Sequence, residues 1–273
     1  MIRCDAHMHT RFSEDSDASV HSMLDAAIER GMEADCITDH LDKDFPQTPD
    51  FPAGAFLFDL GNYFQRLTQL KEEYQKKLEV RIGVEIGLQP HLGEYYRNLT
   101  EKYPFDFVIG SVHLIHGQDP YYRTFFEGRS DEEAYQEAFQ VTIENLKKVN
   151  SFDSLGHLDY VVRYGTHQAE EYSYKKYAEE IDEILKILIA QGKGLEMNMA
   201  GMKYGLVFPN PHPDVIRRYR ELGGEIVTIG ADAHRPEHVA FDFDKAGEIL
   251  ISCGFSYYAE FKGRKPIFKR IVP

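Results

Sequence analysis

The sequence predicts an α/β fold, and a parallel barrel is the arrangement that best suits it. Short β-type segments alternate with longer helical ones along all 273 residues, the length suits one barrel, and histidines and acidic residues follow the strand segments. The chain contains no linker, low-complexity tract or internal repeat. We therefore expect residues 1–273 to form a single domain.

Seven segments have the length and apolar content of strands that are buried in a parallel sheet. They lie at 2–7, 34–39, 80–85, 105–112, 154–157, 194–198 and 225–230. Helical segments lie between them, as crossovers between parallel strands require. The seven strands and their crossovers predict the barrel.

Apolar residues at helical spacing predict the crossover helices. One stripe runs from Val20 to Ile28 and the next from Leu60 to Leu70, with a weaker helix at 88–101. Further helices are expected at about 131–149, 174–191, 212–223 and 243–253.

The ends of these helices carry typical signals. Asp131 and Ser173 are the predicted N-caps, because short polar side chains accept hydrogen bonds from the free N–H groups of a first turn. Three glycines stand where helices should stop, namely Gly31, Gly192 and Gly223.

Two segments, 44–58 and 116–129, interrupt the alternation of strands and helices. Both are rich in aromatic residues, both follow a strand end, and both are long for barrel loops. They are either lids over a site or ordinary surface insertions.

The composition of the chain argues against nucleic-acid and membrane partners. Lys and Arg number 31 against 45 Asp and Glu, a formal net charge of −14, which argues against binding of nucleic acid by phosphate neutralisation. No run approaches the roughly 18 apolar residues of a membrane span, and the first strand leaves no room for a signal peptide. We expect a cytoplasmic protein whose three cysteines, Cys4, Cys36 and Cys253, are buried free thiols.

Histidines and acidic residues lie where the predicted strands end. The first strand ends in DAHMH, and alternate residues of a strand share a face, so His7 and His9 project side by side. The later strand ends supply further candidates, namely His40, Glu85, His113, His157, Asp232 and His234. In a parallel barrel these ends converge on the face where active sites are built. Imidazole and carboxylate together suit Zn, Fe or Mn, and so many ligands suit two or three ions with Glu85 as the bridge.

The motifs DAHMH, TDH, GVEIG, GSVH, GHLDY and GADAH, in this order, resemble those of the polymerase and histidinol phosphatase (PHP) family. The resemblance covers nearly the whole chain and is strongest to the stand-alone phosphatases of the family. It implies a distorted, TIM-like (β/α)7 barrel with a trinuclear metal site at the C-terminal ends of the strands.

The resemblance also implies how the ligands are shared. The first metal would be held by His7, His9, Glu85 and Asp232, the second by Glu85, His113 and His157, and the third by Asp15, His40 and His234. In the segment SEDSD, Glu14 and Asp17 are alternatives to Asp15, which fits best by spacing.

Closely spaced divalent ions can lower the pKa of a bridging water, supply hydroxide as the nucleophile and neutralise charge on a phosphoryl group. The chain has no GxSxG elbow, P-loop or CxxC pair for a competing chemistry. Asp232 would orient the hydroxide or take its proton, and His40 or His234 could act near the leaving group, although both are first expected to be ligands.

A phosphate dianion also requires protein cations. Arg163 and Lys203 follow the fifth and sixth strands and resemble phosphate-binding positions of the family, which more usually has Arg where this chain has Lys203. Asn198 would bind substrate or fix the strand end. An acidic and aromatic pocket would suit the amino and imidazole groups of L-histidinol phosphate, with four candidates, Asp42, Asp44, Tyr121 and Tyr122.

The leading hypothesis is a metal-dependent phosphomonoesterase that hydrolyses L-histidinol phosphate in histidine biosynthesis, with a small phosphorylated substrate and no nucleic-acid or membrane partner. A phosphodiesterase, an exonuclease, or a phosphatase acting on another ester or on phosphotyrosine remain alternatives within the family. Outside it stand a non-catalytic metal-binding barrel and a C–N hydrolase, although the latter commonly has a lysine bridge where this chain has Glu85.

Overall fold

Parallel strands form the central sheet of the computed structural model, which describes residues 1–272. In chain order they are β1 (Cys4–Met8), β2 (Ala34–Ile37), β3 (His40–Leu41), β4 (Glu79–Gly87), β5 (Phe107–Ser111), β6 (Ser154–Leu155), β7 (Gly194–Asn198) and β8 (Val227–Gly230). The spatial order is β1-β2-β4-β5-β6-β7-β8, and the two-residue β3 pairs with β4 beside β2. All seven predicted strands are present.

The first and last strands of the sheet meet and nearly close it into a barrel. Met8 forms a parallel bridge to Ala233, and the N–H of His9 donates to the Ala233 carbonyl at 2.8 Å. A β-bulge between Asp5 and Met8 shifts the register of β1 against β2 at the same end. The predicted barrel of seven strands is therefore confirmed.

Helices pack against the sheet between the strands. They are α1 (Val20–Glu29), α2 (Leu60–Tyr74), α3 (Gly93–Lys102), α4 (Asp131–Lys148), α5 (Ala178–Ala190), α6 (Ala200–Lys203), α7 (Pro213–Glu221) and α8 (Phe243–Ser252). Seven of these were predicted; the four-residue α6 was not. One large apolar cluster connects their inner faces to the outward side chains of the strands.

The predicted N-cap of α4 is wrong by one residue. Ser130, not Asp131, is the cap: its hydroxyl accepts from the N–H of Glu133, and the Glu133 carboxylate accepts from the N–H of Ser130 at 2.8 Å. The Asp131 carboxylate instead accepts from the N–H groups of Thr166 and His167, at 2.9 and 2.6 Å. Asp131 therefore fixes the loop after β6.

The predicted cap at Ser173 is also wrong for α5. Ser173 precedes a 3-10 turn over Tyr174–Tyr177, where its side chain makes no cap, and α5 begins only at Ala178. The helix stops are confirmed, since three glycines with positive φ follow the helices: Gly31, Gly192 and Gly223.

An antiparallel hairpin that the sequence did not predict covers the N-terminal end of the barrel. It consists of β9 (Tyr257–Lys262) and β10 (Lys265–Arg270). Phe261 stacks on Phe107 with ring centroids 4.9 Å apart, and Glu260 pairs with Arg81 at 2.9 Å. Because Phe107 opens β5, the hairpin leaves the opposite end of the barrel free for a site.

The cysteine prediction is confirmed: Cys4, Cys36 and Cys253 are free and buried. Among the helices of residues 1–272, none is both long enough and apolar enough to cross a membrane.

Candidate metal centre

The Glu85 carboxylate lies at the centre of the C-terminal end of the barrel, and five imidazoles surround it. Glu85 is fully buried on β4, and the hydroxyl of Ser111 donates to its Oε1 at 2.6 Å. The nitrogens nearest to its oxygens are His40 Nδ1 at 2.9 Å, His157 Nε2 at 3.0 Å, His7 Nε2 and His113 Nε2 at 3.2 Å, and His9 Nε2 at 3.5 Å. Side chains from β1, β3, β4 and the ends of β5 and β6 thus meet at one carboxylate.

Asp232 completes this side of the cluster from the end of β8. Its Oδ1 lies 3.3 Å from His9 Nε2 and 3.7 Å from His7 Nε2. Its backbone is left-handed, with φ of 52°, a conformation that a residue with a side chain adopts at a cost and that often marks a functional position. The Asp5 carboxylate accepts from the N–H groups of Ala231 and His7, and so ties β8 to β1 beneath the cluster.

A second group extends toward solvent. Asp15 Oδ2 lies 3.1 Å from His234 Nε2 and 3.5 Å from His40 Nε2. The ring of His9 stacks on both the His40 ring and the His234 ring, with centroids 4.1 Å from each. Of the three acidic residues in SEDSD, Asp15 is the one that the structure places against these imidazoles.

The donor set fits metal ions. Within residues 1–272, several buried atoms of the cluster have no hydrogen-bond partner: His7 Nε2, His9 Nε2, His40 Nδ1, His157 Nδ1 and Glu85 Oε2. Several of them lie 2.9 to 3.7 Å from a facing nitrogen or oxygen without hydrogen-bond geometry. Atoms that coordinate a common metal ion are expected to face one another in this way. Four groups of three residues place their ligand atoms within 4.8 Å of one another. Buried imidazole and carboxylate at this spacing suit Zn, Fe or Mn.

Further carboxylates hold the imidazoles from behind. Glu196 Oε1 lies 2.6 Å from His7 Nδ1, and Asp42 Oδ2 lies 2.7 Å from His113 Nδ1. Such partners fix the tautomer and orientation of ligating imidazoles in metal sites. From the sequence, Asp42 was expected only to bind substrate, and Glu196 had no expected role. Spacing could have indicated both residues, because alternate residues of an extended segment share a face. Asp42 lies two residues after His40, and Glu196 lies two residues before Asn198.

The electrostatics of the cluster favour cations. Burial opposes ionisation of Glu85, yet the imidazoles of His7, His40 and His113 hold its pKa well below the usual value. Burial likewise opposes ionisation of Asp232, and His7 and His9 outweigh it, so that its pKa is also well below the usual value. Both carboxylates are therefore ionised at neutral pH and available as charged ligands. The same contacts raise the pKa values of His7, His40 and His113 although burial opposes it, so protons and metal ions compete for these imidazoles.

A cavity of about 510 Å³ opens above the cluster. Arg163 lies at its edge and is 5% exposed, with Nε donating to Asn210 at 2.7 Å, Nη2 to Asn198 at 3.1 Å and Nη1 to Asp232 at 3.5 Å. Asn198 and Lys203 do not line the cavity: Asn198 is fully buried, and Lys203 Nζ donates to the carbonyl of Asp232 at 3.1 Å. Their roles as substrate contacts stay predictions.

The two aromatic loops form the outer wall of the cavity. The first contributes Phe45, Phe51 and Phe56, and the second contributes Asp119, Tyr121 and Tyr122. The hydroxyl of Tyr122 joins them by donating to the Asp50 carboxylate at 3.0 Å and accepting from the Thr48 hydroxyl at 2.9 Å. Asp44 is exposed and contacts His91 and Lys43 instead of the cavity. A lid function for the loops stays a prediction.

The model of one protein family, the PHP domain, matches residues 5–200. The chain belongs to the PHP domain family. A protein of Clostridium acetobutylicum named "Probable histidinol-phosphatase" is 32% identical over 270 residues, which are 98% of each chain. The "Histidinol-phosphatase" of Lactococcus lactis subsp. lactis (strain IL1403) is 31% identical over 97% of this chain and 96% of the relative.

A solved structure agrees with these relatives. The crystal structure of histidinol phosphate phosphatase from Lactococcus lactis subsp. lactis Il1403, complexed with zinc, L-histidinol and phosphate, superposes with a TM-score of 0.87 at 30% identity. The match covers 97% of this chain and 98% of that one. The PHP domain fold therefore extends beyond the family match, to both ends of the described barrel.

Proposed function

We propose that this chain is a metal-dependent phosphomonoesterase that hydrolyses L-histidinol phosphate to L-histidinol and phosphate, a step of histidine biosynthesis. The observation that carries the proposal is the cluster of six imidazoles and three carboxylates at the floor of a cavity whose walls bear both cationic and acidic groups. Its support from relatives is the similar enzyme of Lactococcus lactis, whose crystal structure holds zinc, L-histidinol and phosphate.

The cluster would hold two or three divalent ions of Zn, Fe or Mn. We assign His7, His9, Glu85 and Asp232 to the first ion, Glu85, His113 and His157 to the second, and Asp15, His40 and His234 to the third. The groupings His7-His9-Glu85 and Glu85-His113-His157 support the first two assignments. The contacts of Asp15 with His40 and His234 support the third.

Ions bound there would polarise a water for attack and neutralise charge on the phosphoryl group during in-line displacement. The chain's own residues bind and orient the reactants. Asn198 Nδ2 and Arg163 Nη1 hold Asp232 Oδ2 at 3.3 and 3.5 Å, and we assign this carboxylate to orient the attacking water or accept its proton. With three ions bound, His40 and His234 would both be ligands and the third ion would neutralise charge on the departing alkoxide oxygen. With two ions bound, His40 or His234, on the solvent side of the cluster, would be free to protonate that oxygen. Water and ester then give alcohol and phosphate.

The cavity walls favour one orientation of the substrate. Arg163 and the metal cluster suit the phosphate dianion, whereas Asp119, Tyr121 and Tyr122 belong to the outer wall of the same cavity. The Asp119 carboxylate accepts from the N–H of Tyr121 at 2.8 Å, and burial raises its pKa to about 6. It is therefore largely ionised at pH 7 and suits the ammonium group of L-histidinol phosphate, while the tyrosines suit its imidazole ring.

The decisive experiment compares phosphate release from L-histidinol phosphate with release from a panel of other phosphomonoesters and from bis-p-nitrophenyl phosphate, by the metal-loaded protein. We expect a preference of a hundredfold or more in kcat/KM, roughly 2.7 kcal/mol of transition-state discrimination. A flat profile among monoesters would leave a phosphatase and remove L-histidinol phosphate as its substrate. Faster cleavage of the diester would favour the phosphodiesterase alternative, and the chelated protein is the control.

The proposal includes the domain organisation of the chain and the compartment in which it acts. The chain acts as one domain over residues 1–273, supported by an apolar cluster that includes Ile2 and Ile271. The reaction takes place in the cytoplasm, supported by three free buried thiols, which suit a reducing compartment. Limited proteolysis that released a stable fragment would contradict the first point.

A further inference from the structure

A second arginine lines the cavity on the side of the metal cluster. Arg235 directly follows His234 and begins the turn Pro236–His238 at the rim. Its backbone surroundings are fixed: the hydroxyl of Ser16 donates to the carbonyl of His234 at 2.9 Å, and Arg30 Nη2 donates to the carbonyl of Glu237 at 2.7 Å. The base of the Arg235 side chain is thus held at the rim.

The Arg235 guanidinium differs from the other cations of this region in its partners. Arg163 uses three of its N–H groups on Asn198, Asn210 and Asp232, and Lys203 donates to a backbone carbonyl. Over residues 1–272, the exposed Arg235 side chain takes part in no ion pair or hydrogen bond. Its five donors are available to a ligand without breaking an existing contact.

Arg235 lines the cavity between two histidines, His234 and His238. Glu237 is the nearby carboxylate, and it forms no ion pair with Arg235 among the described residues. An exposed arginine on the wall of a cavity whose floor would hold divalent ions has an anion as its natural partner. Planar guanidinium donors match phosphate oxygens in a bidentate arrangement.

We propose that Arg235 is a phosphate-binding residue of this site, which binds the non-bridging oxygens of the phosphomonoester from the rim of the cavity, in addition to Arg163. The inference rests on the proposed phosphatase function and deepens it. Arg235 performs the task for which the sequence suggested Lys203, whose ammonium group is directed at the backbone of Asp232 instead of the cavity.

The test uses R235Q and R235K with R11Q as the matched control, because Arg11 is an exposed arginine outside the cavity lining. KM and kcat for p-nitrophenyl phosphate, the inhibition constant of inorganic phosphate, and metal content by elemental analysis are measured for each metal-loaded protein. We expect R235Q to raise both KM and the inhibition constant about tenfold or more, with a smaller change in kcat and unchanged metal content. R235K should restore part of the loss, and R11Q should match the parent.

Equal phosphate inhibition of R235Q and R11Q would overturn the inference. A K203Q protein that loses phosphate affinity while R235Q keeps it would return the role to Lys203. Two measurements separate this inference from the proposed function. A metal-loaded parent that hydrolyses no monoester contradicts the proposed function. Calorimetric titration of inorganic phosphate into the metal-loaded parent and R235Q compares their phosphate affinities and decides the role of Arg235 without any turnover.

Discussion

Replacing Glu85 by glutamine is expected to remove about two equivalents of metal from the protein. Two of the four ligand groups contain Glu85, one with His7 and His9 and the other with His113 and His157. A carboxamide keeps the shape of the side chain, but it has no negative charge and binds divalent ions poorly through both ends. Both ions that share Glu85 should therefore be weakened together.

The magnitude follows from linkage. An ion present at a hundredfold excess over its Kd stabilises the folded state by about 2.7 kcal/mol, so losing two such ions costs roughly 5 kcal/mol. At about 2 to 4 °C per kcal/mol for a chain of this size class, Tm should fall by roughly 10 to 20 °C. Turnover of phosphomonoesters should fall to the level of the chelated parent.

Elemental analysis and thermal unfolding of E85Q and the parent, both loaded and both chelated, measure these effects. E260Q is the matched control, because Glu260 is equally buried but pairs with Arg81 at the other end of the barrel. E260Q should lose stability and keep its metal. A folded E85Q with full metal content would refute the cluster assignment, and loss of a single equivalent would refute the bridge.

Three further predictions test the site and its support. R163M should lower kcat/KM for phosphomonoesters about a hundredfold with metal content intact, since it removes charge-assisted hydrogen bonds worth about 1.5–3 kcal/mol each; unchanged kinetics would make Arg163 structural only. G230A should lose about 1–3 kcal/mol of stability and part of its metal, because a Cβ at Gly230 would collide with the Cβ of His7, whereas G247A has room. Although burial opposes it, hydrogen bonds from Lys262 and Arg81 hold the pKa of Glu79 at about 2. The ionised Glu79 carboxylate therefore stabilises the folded state above its ordinary pKa of 4.5, and this stabilisation is lost as pH falls toward 2. Between pH 5 and pH 3, the free energy of unfolding of chelated E79Q should fall less than that of the chelated parent, as measured by urea titration.

The barrel could be predicted because its strands and helices differ in period and follow one another regularly. The hairpin β9–β10 was missed because its outer strand is exposed along its whole length, so residues 265–270 have no alternation between buried and exposed positions. The short α6 spans one turn, too little to show a helical period. At α4, Ser130 and Asp131 are both good caps by residue type, and only the extended backbone of Ser130 decides between them.

Eight of the nine candidate ligands could be located because they lie at or just after the end of a strand, and Asp15 was implied by the family resemblance. The structure brings all nine to one end of the barrel. The sequence could not show which carboxylate hydrogen-bonds to which imidazole, because these pairs depend on the stagger of the strands around the barrel. Glu196 on β7 reaches His7 on β1, a pair 189 residues apart. Arg235 was missed because an arginine beside a proline has the composition of an ordinary surface turn.

The charge of the site explains how a chain with a net charge of −14 could bind a dianion. The cluster contributes three carboxylates, from Asp15, Glu85 and Asp232, and Arg163 is already paired with Asp232. Two or three divalent ions would more than offset the three carboxylates and make the floor of the cavity attractive to phosphate. Occupancy of the cluster then controls substrate affinity as well as the chemical step, and the rim cation Arg235 adds to a field that the ions create.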